Sequence, residues 1–229
     1  MKVFRANDYN VGDSIQIPII EHFLKCEVET VGKHERGKLM VIGSEFQEAK
    51  EGDVVWGQGI RKMNHVTLSG VKVLAVRGRL VKKYIHGLKL PEIYGDPGLL
   101  MPLLYNPKVE IKHKTGIIPH NRDRNNHPKG YIIPVTLPWQ EFIKEILSCK
   151  RIISSSLHGI VLAEAYGKPA EWAIWGGTED QRIKYLDYLT GTDRRAQNPG
   201  RFPPIKNLKA IQNRLIKALK DYYGQIRQD

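Results

Sequence analysis

Short apolar runs that end in glycine or serine recur along the chain, and segments with helical spacing of apolar residues separate them. Such runs are typical of buried strands in a parallel sheet, whose ligand-binding loops lie at the carboxyl edge. The predicted strands are residues 2–5, 39–42, 53–56 and 71–76, followed by 116–120, 130–135, 152–153 and 170–175.

The segments between these strands predict helices. They cover residues 14–24, a basic stretch from about 77 to 86, then 139–148, 157–166, 178–189 and 208–223. Turn-forming residues precede the first helix at 7–13, and the alternation breaks near Asn106. The pattern therefore predicts an α/β protein with two halves, residues 1–106 and 107–205, and a terminal helical segment, 206–229. Because each half is small, we expect them to share a large interface.

Composition narrows the class of protein. The chain has 229 residues, a formal net charge of +12 and 41% hydrophobic residues, which is ordinary for a soluble globular protein. No apolar run is long enough to cross a bilayer, and residues 1–5 lack the apolar core of a signal peptide. Cys26 and Cys149 fit no metal or redox spacing, so we expect reduced thiols in a cytoplasmic protein. The positive charge favours acidic partners.

Residues 154–159, Ser-Ser-Ser-Leu-His-Gly, carry the clearest chemical signal. They form a predicted strand, a hydroxyl-rich turn and the start of a helix. Unpaired amides and the helix dipole favour an anion there, and His158 has the side chain best suited to proton transfer near neutral pH. The same pattern also fits a purely structural role, with Ser156 as an N-cap and His158 as a hydrogen-bonded residue of the first turn.

Three further segments combine turn residues with polar groups. Residues 10–13, Asn-Val-Gly-Asp, fit either a phosphate loop or an ordinary turn with Asp13 as a cap. Arg77 and Arg79 follow a predicted strand and either bind an anion or point to solvent. Residues 95–98, Gly-Asp-Pro-Gly, form a strong turn signal, which is most often structural.

Taken in order, these segments resemble the polysaccharide pyruvyl transferase family. The resemblance rests on residues 10–13, 76–78, 95–97 with the leucines that follow, 118–120, 154–159 and 165–169. It implies a GT-B-like fold, in which two Rossmann-like parallel-sheet halves flank a cleft and a C-terminal helix packs back. It also implies transfer of the enolpyruvyl unit of phosphoenolpyruvate to a sugar of a surface polysaccharide or its precursor, with a pyruvate ketal and phosphate as products.

The resemblance also implies roles for particular residues. His158 is the expected catalytic residue, and Asn10, Gly12 and Asp13 form an acceptor or phosphate loop. Many family members have an arginine immediately before Leu-His-Gly, where this chain has Ser156, so another cation is expected to hold the donor, with Arg77 the leading candidate. No metal and no cofactor are expected beyond phosphoenolpyruvate as the donor substrate. The expected donor-binding residues are Arg77, Arg79, Ser155, Ser156, His120 and Lys168.

The expected partners are phosphoenolpyruvate and a sugar or lipid-linked oligosaccharide acceptor, with peripheral contact at the inner membrane surface as an option. Two alternatives stay open. One is a GT-B glycosyltransferase that uses a nucleotide sugar. The other is a non-catalytic basic nucleic-acid-binding protein, but the basic residues are not interleaved with aromatic ones and no known binding module is visible, so no nucleic acid is expected.

Overall fold

The computed structural model describes residues 1–6, 10–176, 179–195 and 197–226. Within these residues, short strands form two larger sheets and one two-stranded ribbon. The strands are β1 (Lys2–Phe4), β2 (Glu29–Val31), β3 (Leu39–Met40), β4 (Val54–Gln58), β5 (Val66–Thr67), β6 (Lys72–Val76), β7 (Ile85–His86), β8 (Gly116–Ile118), β9 (Tyr131–Ile132), β10 (Ile152–Ser154), β11 (Ala170–Trp172) and β12 (Gly200–Arg201).

Helices connect the strands, and short 3-10 turns lie in some of the loops of the described chain. The 3-10 turns are Phe46–Glu48, Pro97–Leu100 and Asn121–Asp123. The helices are α1 (Val11–Leu24), α2 (Val81–Tyr84), α3 (Met101–Leu104), α4 (Trp139–Leu147), α5 (Leu157–Ala165), α6 (Glu179–Gly191) and α7 (Leu208–Ile226).

Both larger sheets are built mainly from parallel strands. The first has the order β2-β1-β3-β4-β6, with every pair parallel. The second has the order β12-β11-β10-β8-β9, in which only the pair of β11 with β12 is antiparallel. The prediction of an α/β protein with parallel sheets is therefore confirmed. Parallel order brings the carboxyl ends of neighbouring strands to one edge, where loops can build a site.

Several predicted elements are shorter or begin elsewhere. The helix expected over residues 77–86 is wrong: α2 covers only Val81–Tyr84, and the chain then enters β7, because Ile85 and His86 pair in parallel with β5. The strand expected over residues 130–135 is limited to β9, since Pro134 has no amide to donate. Predicted features at residues 7–9 and 178 lie outside the described residues.

One apolar core joins the two sheets. Val3 and Val41 of the first half and Ile118 and Ile152 of the second are fully or almost fully buried members of the same hydrophobic cluster. Helix α5 is buried along almost its whole length within this cluster. The two halves are therefore held together by apolar burial, which fixes the loops of one relative to the loops of the other.

Helix α7 packs back over the first sheet. Its Leu215 carbonyl accepts a hydrogen bond of 3.0 Å from Trp56 Nε1, and Gln212 Nε2 donates to the Leu99 carbonyl at 2.7 Å. Gly95, at φ +144°, lies so close that a Cβ there would meet Ile211 Cγ2 at 2.6 Å. This contact fixes the turn at residues 95–98. No helix among the described residues combines the length and apolarity that crossing a bilayer requires.

Candidate functional site

A cavity of about 340 Å³ lies where loops from the two sheets meet. Its lining comes largely from residues that closely follow β1, β3, β4, β8 and β10, which places it at the carboxyl edges of both sheets. The lining residues are Ala6, Asn10, Asp13, Gly43, Ser44, Glu45, Arg61, His120, Asn121, Arg122, Ser156, Leu157, His158 and Lys184.

The turn between β10 and α5 is held by Ser154. Its Oγ accepts from the Ser156 amide at 2.9 Å and donates toward the carbonyls of Ile118 and Ser156. A Cβ on Gly159 would lie 2.4 Å from that hydroxyl oxygen, so the motif needs glycine at this position. Ser155 Oγ accepts from the His120 amide at 3.0 Å, which ties the β8 loop to the same turn. The serines therefore shape the site.

Ser156 occupies the N-cap position of α5 in an extended conformation, but its hydroxyl makes no capping hydrogen bond. The first amides of a helix have no intrahelical acceptor. Since Ser156, Leu157 and His158 all line the cavity, these amides and the positive end of the helix dipole lie at its wall. The arrangement favours a bound anion.

His158 lies between the cavity and a buried carboxylate. Its side chain is 12% exposed, and its Nε2 lies 3.7 Å from Oδ2 of the fully buried Asp96. Within the described residues neither of these two atoms has a hydrogen-bond partner. The other oxygen of Asp96 accepts from the Gly98 amide at 2.9 Å, which fixes the carboxylate. Asp96 can therefore orient the imidazole.

The start of helix α1 contributes a further part of the cavity wall. Asn10 caps it by accepting from the Gly12 amide at 3.0 Å. The His158 ring packs so closely on Gly12 that a Cβ there would lie 2.1 Å from Nδ1, so only glycine leaves the ring in place. Burial raises the pKa of Asp13, while nearby His158 lowers it less strongly. Asp13 is therefore better able to take up a proton than an exposed aspartate.

Three cations that the sequence reasoning missed reach this cavity: Arg61, Arg122 and Lys184. Arg61 forms an ion pair with Glu45. The Arg122 amide donates to His120 Nδ1 at 3.2 Å, and burial, with a further contribution from Lys184, lowers the pKa of His120 to about 4. His120 is therefore neutral at pH 7 and, with Nδ1 accepting, carries its proton on Nε2 as a hydrogen-bond donor.

Arg77, the expected donor clamp, lies behind the cavity wall. Its guanidinium is 0% exposed, pairs with Asp187 at 3.2 Å, and donates to the Gly43 carbonyl at 3.0 Å and Ser44 Oγ at 2.9 Å. Burial raises the pKa of Asp187 to about 6 although Arg77 lowers it. Arg77 therefore holds the cavity-lining residues Gly43 and Ser44 in place. Its own side chain does not line the cavity.

Two other expected donor-binding residues are bound elsewhere. Arg79 is exposed, pairs with Asp193 at 2.6 Å and stacks over the Tyr94 ring at 4.4 Å. Lys168 follows the far end of α5 from His158, where its ammonium donates to the Leu147 and Cys149 carbonyls at 2.7 and 2.9 Å. The structure therefore brings together Asn10, Asp13, His120, Ser156 and His158, with Gly12 and Ser155 packed against them, and leaves Arg77, Arg79 and Lys168 outside.

Some of the site residues that were not expected from the sequence lie next to, or inside, segments that it singled out. Residues 121–124, Asn-Arg-Asp-Arg, directly follow the segment at 118–120 that contributed to the resemblance. The position of Arg122 beside this segment could therefore have indicated that it belongs to the site. Asp96 lies inside the turn already singled out. Lys184 and Arg61 carry no local motif, because only the folded chain brings α6 and the β4 loop to this cavity. No cluster of metal-binding side chains occurs among the described residues.

Comparison with known proteins confirms the family resemblance that rests on these ordered segments. The model of the polysaccharide pyruvyl transferase family matches residues 10–170, and the chain belongs to this family. An uncharacterized protein of Acanthamoeba polyphaga mimivirus is 25% identical over 208 residues, 81% of this chain and 71% of that one. A crystal structure of a functionally uncharacterized Klebsiella pneumoniae protein aligns with a TM-score of 0.47 at 13% identity, over 84% of this chain and 86% of the other. Membership implies a pyruvyl transferase that acts on a polysaccharide.

Proposed function

We propose that the protein transfers the enolpyruvyl unit of phosphoenolpyruvate to two hydroxyls of a polysaccharide sugar, or of its precursor, and forms a pyruvate ketal. The observation that carries the proposal is the pairing of His158 with buried Asp96 at the wall of a cavity that also holds Arg61, Arg122 and Lys184. This set combines a proton carrier with an anion site, and the reaction requires both.

The donor carries a phosphate and a carboxylate. Arg122 and Lys184 supply positive charge, neutral His120 supplies an N–H donor, and the first amides of α5 supply further donors. Arg61 is partly neutralised by Glu45, so we assign the phosphate to the Arg122 side of the cavity. Many family members have an arginine at the position of Ser156. In this chain, Arg122 and Lys184 supply the positive charge that this arginine would provide.

The acceptor then lies on the Asp13 side. A carboxylate close to the donor phosphate would be repelled, whereas a sugar hydroxyl can donate to it. Asp13, whose pKa burial raises, is suited to accept the proton that the attacking hydroxyl releases. His158 delivers a proton to C3 of the donor, and Asp96 stabilises the imidazolium that precedes this step.

The bonds balance without a covalent enzyme intermediate. One C–H bond forms at C3 and two C–O bonds form at C2 to the sugar oxygens. The π bond between C2 and C3, the C2–O bond to phosphate and the O–H bonds of the two hydroxyls break. The two sugar hydroxyls release two protons. One of them restores the proton that the enzyme gave to C3, and the other leaves with phosphate. No oxidant or reductant is needed.

A binding experiment separates this proposal from the nucleotide-sugar alternative. Phosphoenolpyruvate should raise the melting temperature of the protein with increasing concentration, since a ligand that binds only the folded state stabilises it. Phosphate release with a panel of hexose acceptors then tests turnover. Stabilisation by a nucleotide sugar, with no response to phosphoenolpyruvate, would favour a glycosyltransferase instead.

A further inference from the structure

A second cleft, of about 950 Å³, lies at the amino edge of the second sheet. It is bounded by the residues that lead into β8, β10 and β11, and by the loop before α7. His158 lies at the other end of α5, so this cleft is separate from the cavity at the carboxyl edge. The proposed reaction does not use it.

A row of lysines lines one wall of this cleft. Lys114, Lys150 and Lys168 each stand two residues before the first residue of β8, β10 and β11, respectively. These strands are adjacent and parallel, and Ile152 pairs in register with both Gly116 and Ala170. Because neighbouring strands are about 4.8 Å apart, the three lysines, hereafter the lysine row, enter the sheet side by side.

The carboxylates in the cleft do not neutralise the lysine row. Glu164 is bound to Arg194 and to the Tyr188 hydroxyl, and Glu171 pairs with Arg201 at 3.4 Å. Lys168 donates to the neutral carbonyls of Leu147 and Cys149, and burial lowers its pKa. Like charges on adjacent strands repel one another, so a bound anion would relieve a cost that the fold otherwise carries.

The facing wall is apolar and held in place. It consists of Phe202, Ile205 and Leu208, which are partly buried against the main core. The Arg194 guanidinium lies 4.7 Å from the centre of the Phe202 ring and donates to the Pro203 carbonyl at 3.0 Å. This wall is therefore preformed.

We infer that this cleft binds a small amphiphilic anion, a phosphate monoester on an apolar body. The phosphate contacts the lysine row, where three ammonium groups supply charge and hydrogen bonds. The apolar body packs on Phe202, Ile205 and Leu208, which remain partly open to solvent without it. Either half of such a ligand alone would satisfy only one wall.

Isothermal titration with octyl phosphate below its micelle-forming concentration tests the inference. We expect one molecule to bind per chain, and inorganic phosphate and octyl glucoside to bind far more weakly. Affinity should rise by up to about fourfold for each methylene added from hexyl to octyl, since burial of a methylene has this effect.

Variants assign the site. The double variant Lys114→Ala/Lys150→Ala should weaken octyl phosphate binding at least ~10-fold, because both lysines are exposed and can be truncated without loss of the fold. The control variant is Lys33→Ala, which removes an exposed lysine of the first half. It should bind octyl phosphate as the unmodified protein does. Arg122→Gln should also bind normally, which separates this site from the catalytic cavity.

Three results would overturn the inference. They are absence of octyl phosphate binding, unchanged binding by the double lysine variant, and loss of binding in Arg122→Gln, which would put the amphiphile in the His158 cavity. Cosedimentation with phosphatidylglycerol vesicles, without binding of monomeric octyl phosphate, would identify the lysine row as a membrane contact and would likewise contradict a discrete ligand site.

Discussion

Asp96 Oδ2 and His158 Nε2 lie 3.7 Å apart, and neither atom has a hydrogen-bond partner within the described residues. A proton on Nε2 would therefore point at Asp96. Gly12 lets the His158 ring take this position, because a Cβ there would lie 2.1 Å from Nδ1. A buried acid that orients a histidine in this way fixes its tautomer.

Asp96→Asn should lower kcat by roughly 10²-fold or more with little change in stability. Asparagine keeps an oxygen to accept from the Gly98 amide, but its amide nitrogen faces His158 and favours the other tautomer. Steady-state phosphate release and thermal unfolding measure the two effects. The pH profile of kcat should also change. A variant that loses stability but keeps its kcat and pH profile would limit Asp96 to the cap of the 97–100 turn.

Arg122→Gln should weaken phosphoenolpyruvate binding by roughly 10–100-fold, which is the cost of losing one charge-assisted contact. The matched control is Arg124→Gln, which removes an exposed arginine two residues away that does not line the cavity. Calorimetric titration of both variants with phosphoenolpyruvate gives the comparison. Equal affinities for the two variants would remove Arg122 from the donor site.

Arg77→Ala should destabilise the protein by about 3–5 kcal/mol, because it leaves Asp187 buried without its cation. Burial already raises the pKa of Asp187, and removal of Arg77 should raise it further. Since protonation then favours the folded state, the variant should regain stability as the pH falls below neutrality. Denaturant unfolding across pH measures this. A variant with normal stability and weaker donor binding would restore the donor-clamp role expected from sequence.

The contrast between Arg77 and His158 shows what sequence patterns can and cannot locate. The strand, turn and helix around His158 are encoded within a few neighbouring residues, so apolar spacing and glycine placement suffice to predict them. The direction of Arg77 depends on Asp187, which is 110 residues away. Arg61 and Lys184 likewise reach the cavity only through the packing of distant elements, which no local pattern records.

His120→Asn should reduce the amount by which the free energy of unfolding falls as the pH is lowered. Burial lowers the pKa of His120 to about 4, below its ordinary value near 6.5. The unfolded chain therefore takes up a proton that the folded state refuses, and stability is lost as the pH falls from about 6.5 to about 4. The loss attributable to this group is on the order of 1–3 kcal/mol. Urea unfolding of both proteins at pH 7 and pH 4.5 compares the slopes; identical slopes would mean that His120 is not held neutral.

Transfer of label from phosphoenolpyruvate carrying carbon-13 at C2 tests the central claim most directly. With a competent polysaccharide acceptor, the labelled carbon should change from an enol to a ketal resonance while one phosphate is released per ketal. His158→Gln should lower this rate by about 10²–10⁴-fold, the usual worth of positioned acid–base catalysis, and still bind the donor. A well-folded His158→Gln protein that forms the ketal at the normal rate, or phosphate release with the label recovered in free pyruvate alone, would contradict the account.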